Sequence, residues 1–192
     1  MIERTPQTLS FKSAATFRRW LEKNHGNPDG IWLRIFKKDS GEKSVTYAEA
    51  LDQALCFGWI DGLKKSFDKR SWIQRFTPRR AKSGWSKLNT QHVERLVKSG
   101  HMTRTGMAAV AAAKADGRWQ AAYTSPRNAG PPEDFLKALA KNKKAKALFE
   151  SLNRANVYSI VYRLTTARKP ETRAKRMELI LTMMAQGKKF HP

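Results

Sequence analysis

The segment that most constrains the fold of this chain is a cluster of turn-forming residues well past its midpoint. Residues 125–132 read Ser-Pro-Arg-Asn-Ala-Gly-Pro-Pro, and six of these eight are turn formers. Because proline cannot continue a helix, no regular element is expected to run through this segment. We therefore predict two domains, an α+β domain over residues 1–127 and an all-helical module over residues 131–192.

The N-terminal part mixes helical and strand patterns, which predicts a small, mainly antiparallel sheet of three or four strands with flanking helices. Ser13 and Thr46 stand where N-caps are expected, and Glu49 completes a capping box with Thr46. Tyr47 is expected to face inward from the second helix. The predicted elements are helices over 13–24 and 46–58, strands over 31–36, 59–63 and 71–76, and helices over 86–98 and 105–115.

The C-terminal part shows only helical patterns, each with apolar residues along one side. Because a one-sided apolar stripe must be covered, these helices are expected to pack together or onto the first domain. In the last helix the stripe alternatively serves to dock a protein partner in an envelope-stress pathway, or an acidic lipid surface. The predicted helices cover residues 133–141, 144–152, 155–167 and 171–186.

The charge of the chain points to anionic partners. Lysine and arginine number 38 against 16 acidic residues, so the formal net charge is +22 and the pI is about 10.5. Between Lys64 and Arg118 there are 14 Lys and Arg and only three acidic residues. A surface of this kind attracts polyanions, whereas the plainer reading is a generally solvated basic exterior. A hydrophobic content of 40% is enough to bury a core.

Several classes of protein are not expected from the composition. The chain has no apolar run long enough for a membrane span and no secretion-signal pattern at its N-terminus, so we expect a cytoplasmic protein. A single cysteine, Cys56, rules out an internal disulfide and is expected to be a small core residue. Nucleotide-binding loops, paired histidines and hydrolase motifs are missing from the sequence, so we expect neither a metal nor a cofactor.

One candidate site surrounds Asp61, a carboxylate in an otherwise apolar strand. An unpaired buried carboxylate is costly, and Arg79 and Arg80 are its nearest suppliers of positive charge if the two strands pair as a hairpin. The plain interpretation is a structural salt bridge across that hairpin. A functional interpretation makes Asp61 an acid or base, with the two arginines as an anion clamp.

A second candidate site follows directly and has the features of an anion-binding segment. Two arginines offer forked donors, and a helix start nearby favours negative groups. The purely structural alternative is that the serines only cap the helix, the tryptophan is part of the core and the arginines are solvated. Together the two segments supply these candidate ligand-binding residues: Trp59, Asp61, Lys64, Arg79, Arg80, Lys82, Ser83, Trp85, Ser86 and Asn89, with Trp59 and Trp85 expected at the surface.

Several short segments of the sequence resemble segments of a known protein family. They lie at residues 30–33, 45–50, 56–62, 76–80, 83–89, 113–119 and 167–176, and include CFGWIDG, FTPRR and SGWSKLN. Through them, residues 11–189 resemble the YdeI/OmpD-associated (OmdA-like) family of bacteriocin-protection proteins. The resemblance implies a link to stress or to resistance against cationic antimicrobial peptides, and it implies no catalytic residues.

Two functions of different classes follow from these observations. The first is a non-catalytic protein that binds an anionic partner, either a nucleic acid or a phosphorylated ligand. The alternative is an enzyme acting on a small phosphorylated or carboxylated substrate, with Asp61 and the Arg79–Arg80 clamp. Because like charges repel, direct capture of cationic peptides is not expected, and any protection would be indirect.

Overall fold

In a computed structural model of the protein, the described residues are 6–124, 130–167 and 169–192. The α+β fold class with a helical C-terminal part is confirmed. The elements in chain order are β1 (Thr8–Leu9), α1 (Ala14–Asn24), β2 (Ile31–Phe36), a 3₁₀ turn (Lys38–Ser40), α2 (Tyr47–Cys56), β3 (Trp59–Ser66), β4 (Ser71–Pro78), α3 (Lys87–Lys98), α4 (Arg104–Ala115), α5 (Glu133–Ala140), α6 (Lys143–Glu150), α7 (Arg154–Thr165) and α8 (Pro170–Ala185).

The first two helices begin where the capping residues predicted. The Ser13 side chain accepts a hydrogen bond from the Thr16 backbone N–H, and the Thr16 hydroxyl accepts one from the Ser13 backbone N–H. In the same way, the Thr46 backbone N–H donates to the Glu49 carboxylate at 2.9 Å. Each box satisfies backbone donors that the first turn of a helix otherwise leaves unpaired.

The sheet has four strands in the order β1-β2-β4-β3. Strand β1 runs parallel to β2, and the other two pairings are antiparallel. The mainly antiparallel sheet is therefore confirmed, with one short parallel edge. Strand β1 was not predicted, because two residues carry no readable alternation.

The β3–β4 hairpin is longer than the sequence predicted. The sequence predicted strands over 59–63 and 71–76 with residues 64–70 between them, but Lys64, Lys65 and Ser66 continue β3 and pair with Gln74, Ile73 and Trp72. A β-bulge lies between Asp61 and Lys64. From Gly62 onward the strand is exposed, so charged side chains fit it as well as they fit a turn.

One face of the sheet is buried beneath α1. Alternate residues of β2, namely Ile31, Leu33 and Ile35, are at most 4% exposed. Phe17 of α1 meets Phe76 of β4 with ring centroids 6.0 Å apart. The chain enters β2 through Gly30, which has φ +58°, and a Cβ there would lie 2.2 Å from the Phe76 carbonyl oxygen. Only glycine fits that approach without displacing the backbone.

Three large side chains at helical spacing lie partly at the surface, and one of them, Tyr47, was predicted to face inward. Tyr47, Leu88 and Met107 are 37%, 54% and 43% exposed. Their helices bury other positions, including Leu51, Val93 and Val110. Helical spacing of apolar residues therefore does not by itself predict which of them are buried. Each helix contacts the rest of the fold through a narrow stripe of residues, and apolar residues outside that stripe stay exposed.

The chain divides into two compact units. The first contains the described residues up to Ser83 together with Gln91–Ala115, and the second contains Gly84–Thr90 and Asp116–Pro192. The domain boundary predicted at residues 127–131 stays a prediction, and residues 125–129 of its linker lie outside the described residues.

In the second unit the C-terminal helices share one apolar cluster. Phe135, Leu139, Ile160, Leu164, Ile180 and Met184 are all buried in it. The apolar stripe of α8 is therefore core, as the plainer interpretation of that helix predicted.

Candidate anion-binding surface

Both tryptophans predicted at the surface are buried. Trp59 is 0% exposed, and its indole N–H donates to the His25 carbonyl at 2.8 Å. Trp85 is 1% exposed and lies against Trp119, with ring centroids 5.0 Å apart. The prediction that these rings offer surface stacking faces is wrong, because packing within each unit covers both.

The two serines of the second candidate segment serve the backbone. Ser83 accepts from the Arg80 backbone N–H at 3.1 Å and closes a turn. Ser86 accepts from the Asn89 backbone N–H at 3.1 Å and so caps α3. Asn89 is only 7% exposed. For these three residues the structure agrees with the purely structural interpretation, in which the serines bond to the backbone and the remaining side chain is buried.

Asp61 has a different partner from the one predicted. Its carboxylate accepts a hydrogen bond of 2.8 Å from the Tyr47 hydroxyl. Asp61 lies opposite Phe76, whereas Arg79 follows the end of β4 and pairs its backbone N–H with the Gly58 carbonyl. The expected salt bridge to Arg79 or Arg80 is not among the ion pairs of the described residues, and the register explains why. The carboxylate that the enzymatic alternative places beside Arg79 and Arg80 is therefore hydrogen-bonded to Tyr47.

Tyr47 is held as a neutral phenol. Burial, followed by the hydrogen bond and the negative charge of Asp61, raises the pKa of Tyr47 above its ordinary value of about 10. Its ring lies 6.1 Å from that of Trp72, and the Lys64 ammonium lies 4.2 Å from the centroid of the same Trp72 ring. Lys64 and Tyr47 thus both border the Trp72 ring.

The remaining predicted residues are basic and lie beyond the hairpin. Arg79 is half-buried, while Arg80 and Lys82 are exposed. These three belong to the first unit, whereas Trp85, Ser86 and Asn89 belong to the second. Their joint role as a ligand site stays a prediction.

The face of the sheet opposite the core carries a set of aromatic and cationic side chains that the sequence analysis missed. We call it the outer face and define it by its residues. Of these, Lys65 and Phe67 are exposed and the others are half-buried. The members are Trp32, Arg34 and Phe36 of β2, Ile73 and Arg75 of β4, and Lys65 and Phe67 of the hairpin.

Two cations of the outer face border one aromatic ring. The Lys65 ammonium lies 5.0 Å from the Trp32 ring centroid, and the Arg75 guanidinium carbon lies 5.8 Å from it. Arg75 donates to the Asp29 carbonyl, but its Nη1 is buried and has no hydrogen-bond partner among the described residues. Burial lowers the pKa of Arg75 from its ordinary value. No carboxylate among the described residues forms an ion pair with either cation.

Arg34, in contrast, has a carboxylate partner. It donates to the Ser71 hydroxyl at 2.9 Å and to the Asp68 carboxylate at 2.6 Å. Its guanidinium carbon lies 4.4 Å from the Phe36 centroid and 4.7 Å from the Phe67 centroid. Arg34 therefore fixes two rings, while Asp68 balances its charge.

The outer face could have been found in the sequence by inspecting both faces of β2. The apolar positions identify the buried face, and the alternate positions read Trp-Arg-Phe. An aromatic–cation–aromatic row on the other face of a half-buried strand is a signal of its own.

These features define a strongly basic protein with a mixed four-stranded sheet and a helical second unit. The chain belongs to the family described as a domain of unknown function, DUF8412, whose family model matches residues 9–109, more than half of its length. Residues 128–187 match the family described as bacteriocin-protection, YdeI or OmpD-associated. The resemblance to that family is thereby confirmed, and the match covers the C-terminal part rather than the whole of residues 11–189.

Comparison with curated proteins and with solved structures found no match. Among the helices of the described residues, none combines the length and the apolar character needed to cross a bilayer.

Proposed function

We propose that this protein binds an anionic partner, most simply a nucleic acid in the cytoplasm, and that it does so without catalysis. The observation that carries the proposal is the pair of cations, Lys65 and Arg75, that border Trp32. Neither forms an ion pair with a carboxylate of the described residues, although the charge of Asp29 acts on Arg75. Lys65 is exposed and can meet a phosphate without first breaking an internal ion pair, while the half-buried Arg75 adds to the positive potential at the same place.

The sequence around the hairpin adds to this charge. Residues 59–83 contain eight Lys and Arg against two Asp. One of these aspartates, Asp68, is engaged by Arg34, and the other, Asp61, accepts from Tyr47. We therefore retain Lys64, Arg79, Arg80 and Lys82 as proposed contributors to a positive potential that attracts phosphates.

The test is the salt dependence of binding to a fluorescently labelled oligonucleotide, measured by anisotropy. If about six phosphates are contacted on a duplex, the logarithm of the affinity should fall with the logarithm of salt with a slope of about −5. The proposal would be overturned if the protein did not bind at low salt, on the order of 50 mM, or if its affinity did not change with salt concentration.

A pair of matched variants localises the effect. Lys64→Ala with Lys65→Ala should weaken binding and reduce the salt slope by about two, because two phosphate contacts are lost. The control is Lys143→Ala with Lys144→Ala, which removes the same charge from exposed positions of α6 in the second unit. Equal losses from both pairs would mean that only net charge matters and would contradict a site on the hairpin.

The family description supports a second part of the proposal, a contribution to protection against bacteriocins or other cationic antimicrobial peptides within a stress response. Because the chain carries +22, we propose that this protection acts through the anionic partner, or through an envelope-stress protein, rather than by peptide capture. Cells lacking the protein should regain resistance with the wild-type chain and not with the Lys64/Lys65 double variant. Tight binding of a cationic peptide to the pure protein would contradict this.

A further inference from the structure

We infer that the outer face binds a single-stranded nucleic acid, with unpaired bases stacking on its aromatic rings, the backbone phosphates held by the exposed Lys65, and the half-buried Arg75 adding positive potential beneath them. This inference rests on the proposed function and names the form of the polymer and the place where it binds.

The register of the strands gives the first step. Trp32 lies directly opposite Arg75, and Arg34 lies opposite Ile73, which in turn lies opposite Lys65. Neighbouring strands are about 4.8 Å apart, and alternate residues of a strand share a face. The cations of β3 and β4 therefore border the aromatic residues of β2 within one open surface.

The spacing of the rings gives the second step. Trp32 and Phe36 are four residues apart on β2, or about 13 Å at 3.3 Å per residue, with Arg34 between them on the same face. Phe67 follows the end of β3 and is 50% exposed. Rings separated in this way can each take a different base, and stacking on successive aromatic rings is how sequence-tolerant binders hold single strands.

Arg34 provides the third step, because it arranges the rings before any ligand arrives. Its guanidinium lies against both Phe36 and Phe67, while Ser71 and Asp68 hold it in place. The two rings are therefore fixed by contacts within the protein. Binding to surfaces that are already ordered loses less conformational entropy than binding to mobile side chains.

Charge distinguishes the roles of the cations. Arg34 forms an ion pair with Asp68, whereas neither Lys65 nor Arg75 forms one with a carboxylate of the described residues, and Arg75 is influenced only at longer range by Asp29. Lys65 is an exposed side chain whose ammonium lies over Trp32 through a contact that is weak in water. A phosphate can draw this ammonium aside and leave the Trp32 ring available to a base.

The choice of a single strand follows from where base faces are accessible. In a duplex each base is covered by its neighbours, so only the edges and the phosphates can be contacted. A cationic surface alone serves either form, but half-exposed rings between the cations add affinity only for unpaired bases.

The experiment compares a labelled single-stranded 20-mer with the duplex of the same sequence, by anisotropy at low salt. The probe is a mixed-sequence DNA oligonucleotide. The wild-type chain should bind the single strand more tightly than the duplex. Phe67→Ala should weaken single-strand binding roughly 5- to 150-fold, which corresponds to the loss of one stacked base, and should leave duplex binding unchanged.

The control is Leu63→Ala, a second large apolar residue of the same hairpin that is 68% exposed but has no ring. It should leave single-strand affinity unchanged. Phe67→Tyr, which retains a ring, should bind like the wild type. Urea unfolding midpoints equal to that of the wild type confirm that each variant is folded.

The outcomes separate the inference from the function on which it rests. Failure to bind either probe overturns both. Equal binding of the two probes with no effect of Phe67→Ala overturns the inference and leaves an anion-binding protein. Tighter binding of the duplex also overturns it, since the hairpin would then act on phosphates or in a groove.

Discussion

The Tyr47 hydroxyl donates a 2.8 Å hydrogen bond to the Asp61 carboxylate, which ties the first residue of α2 to the third residue of β3. The bond therefore joins the start of α2 to β3, the strand that follows the end of the same helix. It gives Asp61, a carboxylate within a strongly basic segment, a structural partner.

Loss of this bond should be measurable. We expect Tyr47→Phe to lower the free energy of unfolding by about 1 kcal/mol, the typical contribution of one hydrogen bond, because Asp61 is part-exposed and can recover water. Urea denaturation at pH 7 measures the change. Asp61→Asn retains an acceptor and should cost less, so a larger loss in Asp61→Asn than in Tyr47→Phe would contradict the assignment.

The same pair should make stability sensitive to alkali. The pKa of Tyr47 is raised in the folded chain, so the phenol ionises more readily after unfolding. Its contribution is complete below the ordinary pKa of about 10 and is lost as pH rises from there through the raised value. Unfolding curves between pH 9 and pH 11, a range chosen around that value of about 10, should show a steeper decline for the wild type than for Tyr47→Phe. If the stability of the wild type and of Tyr47→Phe declined in parallel with pH, the raised pKa of Tyr47 would not be the cause.

Gly30→Ala should be strongly destabilising. The added Cβ would lie 2.2 Å from the Phe76 carbonyl oxygen, and φ at Gly30 is +58°. Because the obstacle is backbone, the strand must shift, and we expect a loss of about 2–4 kcal/mol. Gly26→Ala is the control, since nothing lies within 4 Å of a Cβ there. Similar unfolding midpoints for the two variants would refute this explanation.

Cys56 should be unreactive until the protein opens. The residue is 0% exposed, and burial raises the pKa of its thiol, so little thiolate is present near neutral pH. It is the only cysteine in the chain, so Ellman's reagent reports on it alone. We expect slow labelling of the folded protein, limited by local opening, and rapid labelling in urea. Rapid labelling without denaturant would show that the thiol is accessible.

The sequence predicted local features of the fold well. Ser13 and Thr46 define helix starts because a cap depends only on residues within one turn. The alternation in Ile31–Phe36 predicted both a strand and its buried face. The length of the hairpin was missed, since Lys64 and Lys65 suit an exposed strand and a turn equally, and only their pairing decides between them.

The candidate site was predicted less well, because it depends on which surfaces become covered. Trp59 and Trp85 have the composition of stacking residues, yet tertiary packing buries both. Trp32 lies one position away from buried residues of β2 and remains half-exposed. Residue type is the same in the three cases, so only the burial of each side chain in the folded protein determines which ring a ligand can reach.

Strand β3 is an edge strand of the sheet, and no further strand of the described residues pairs with its outer side. A regular edge of this kind invites a strand from another molecule and thereby aggregation. Here the bulge between Asp61 and Lys64 interrupts the hydrogen-bonding pattern, and two successive lysines would be brought against those of any second copy. Both features therefore disfavour pairing of β3 with the same strand of a second molecule.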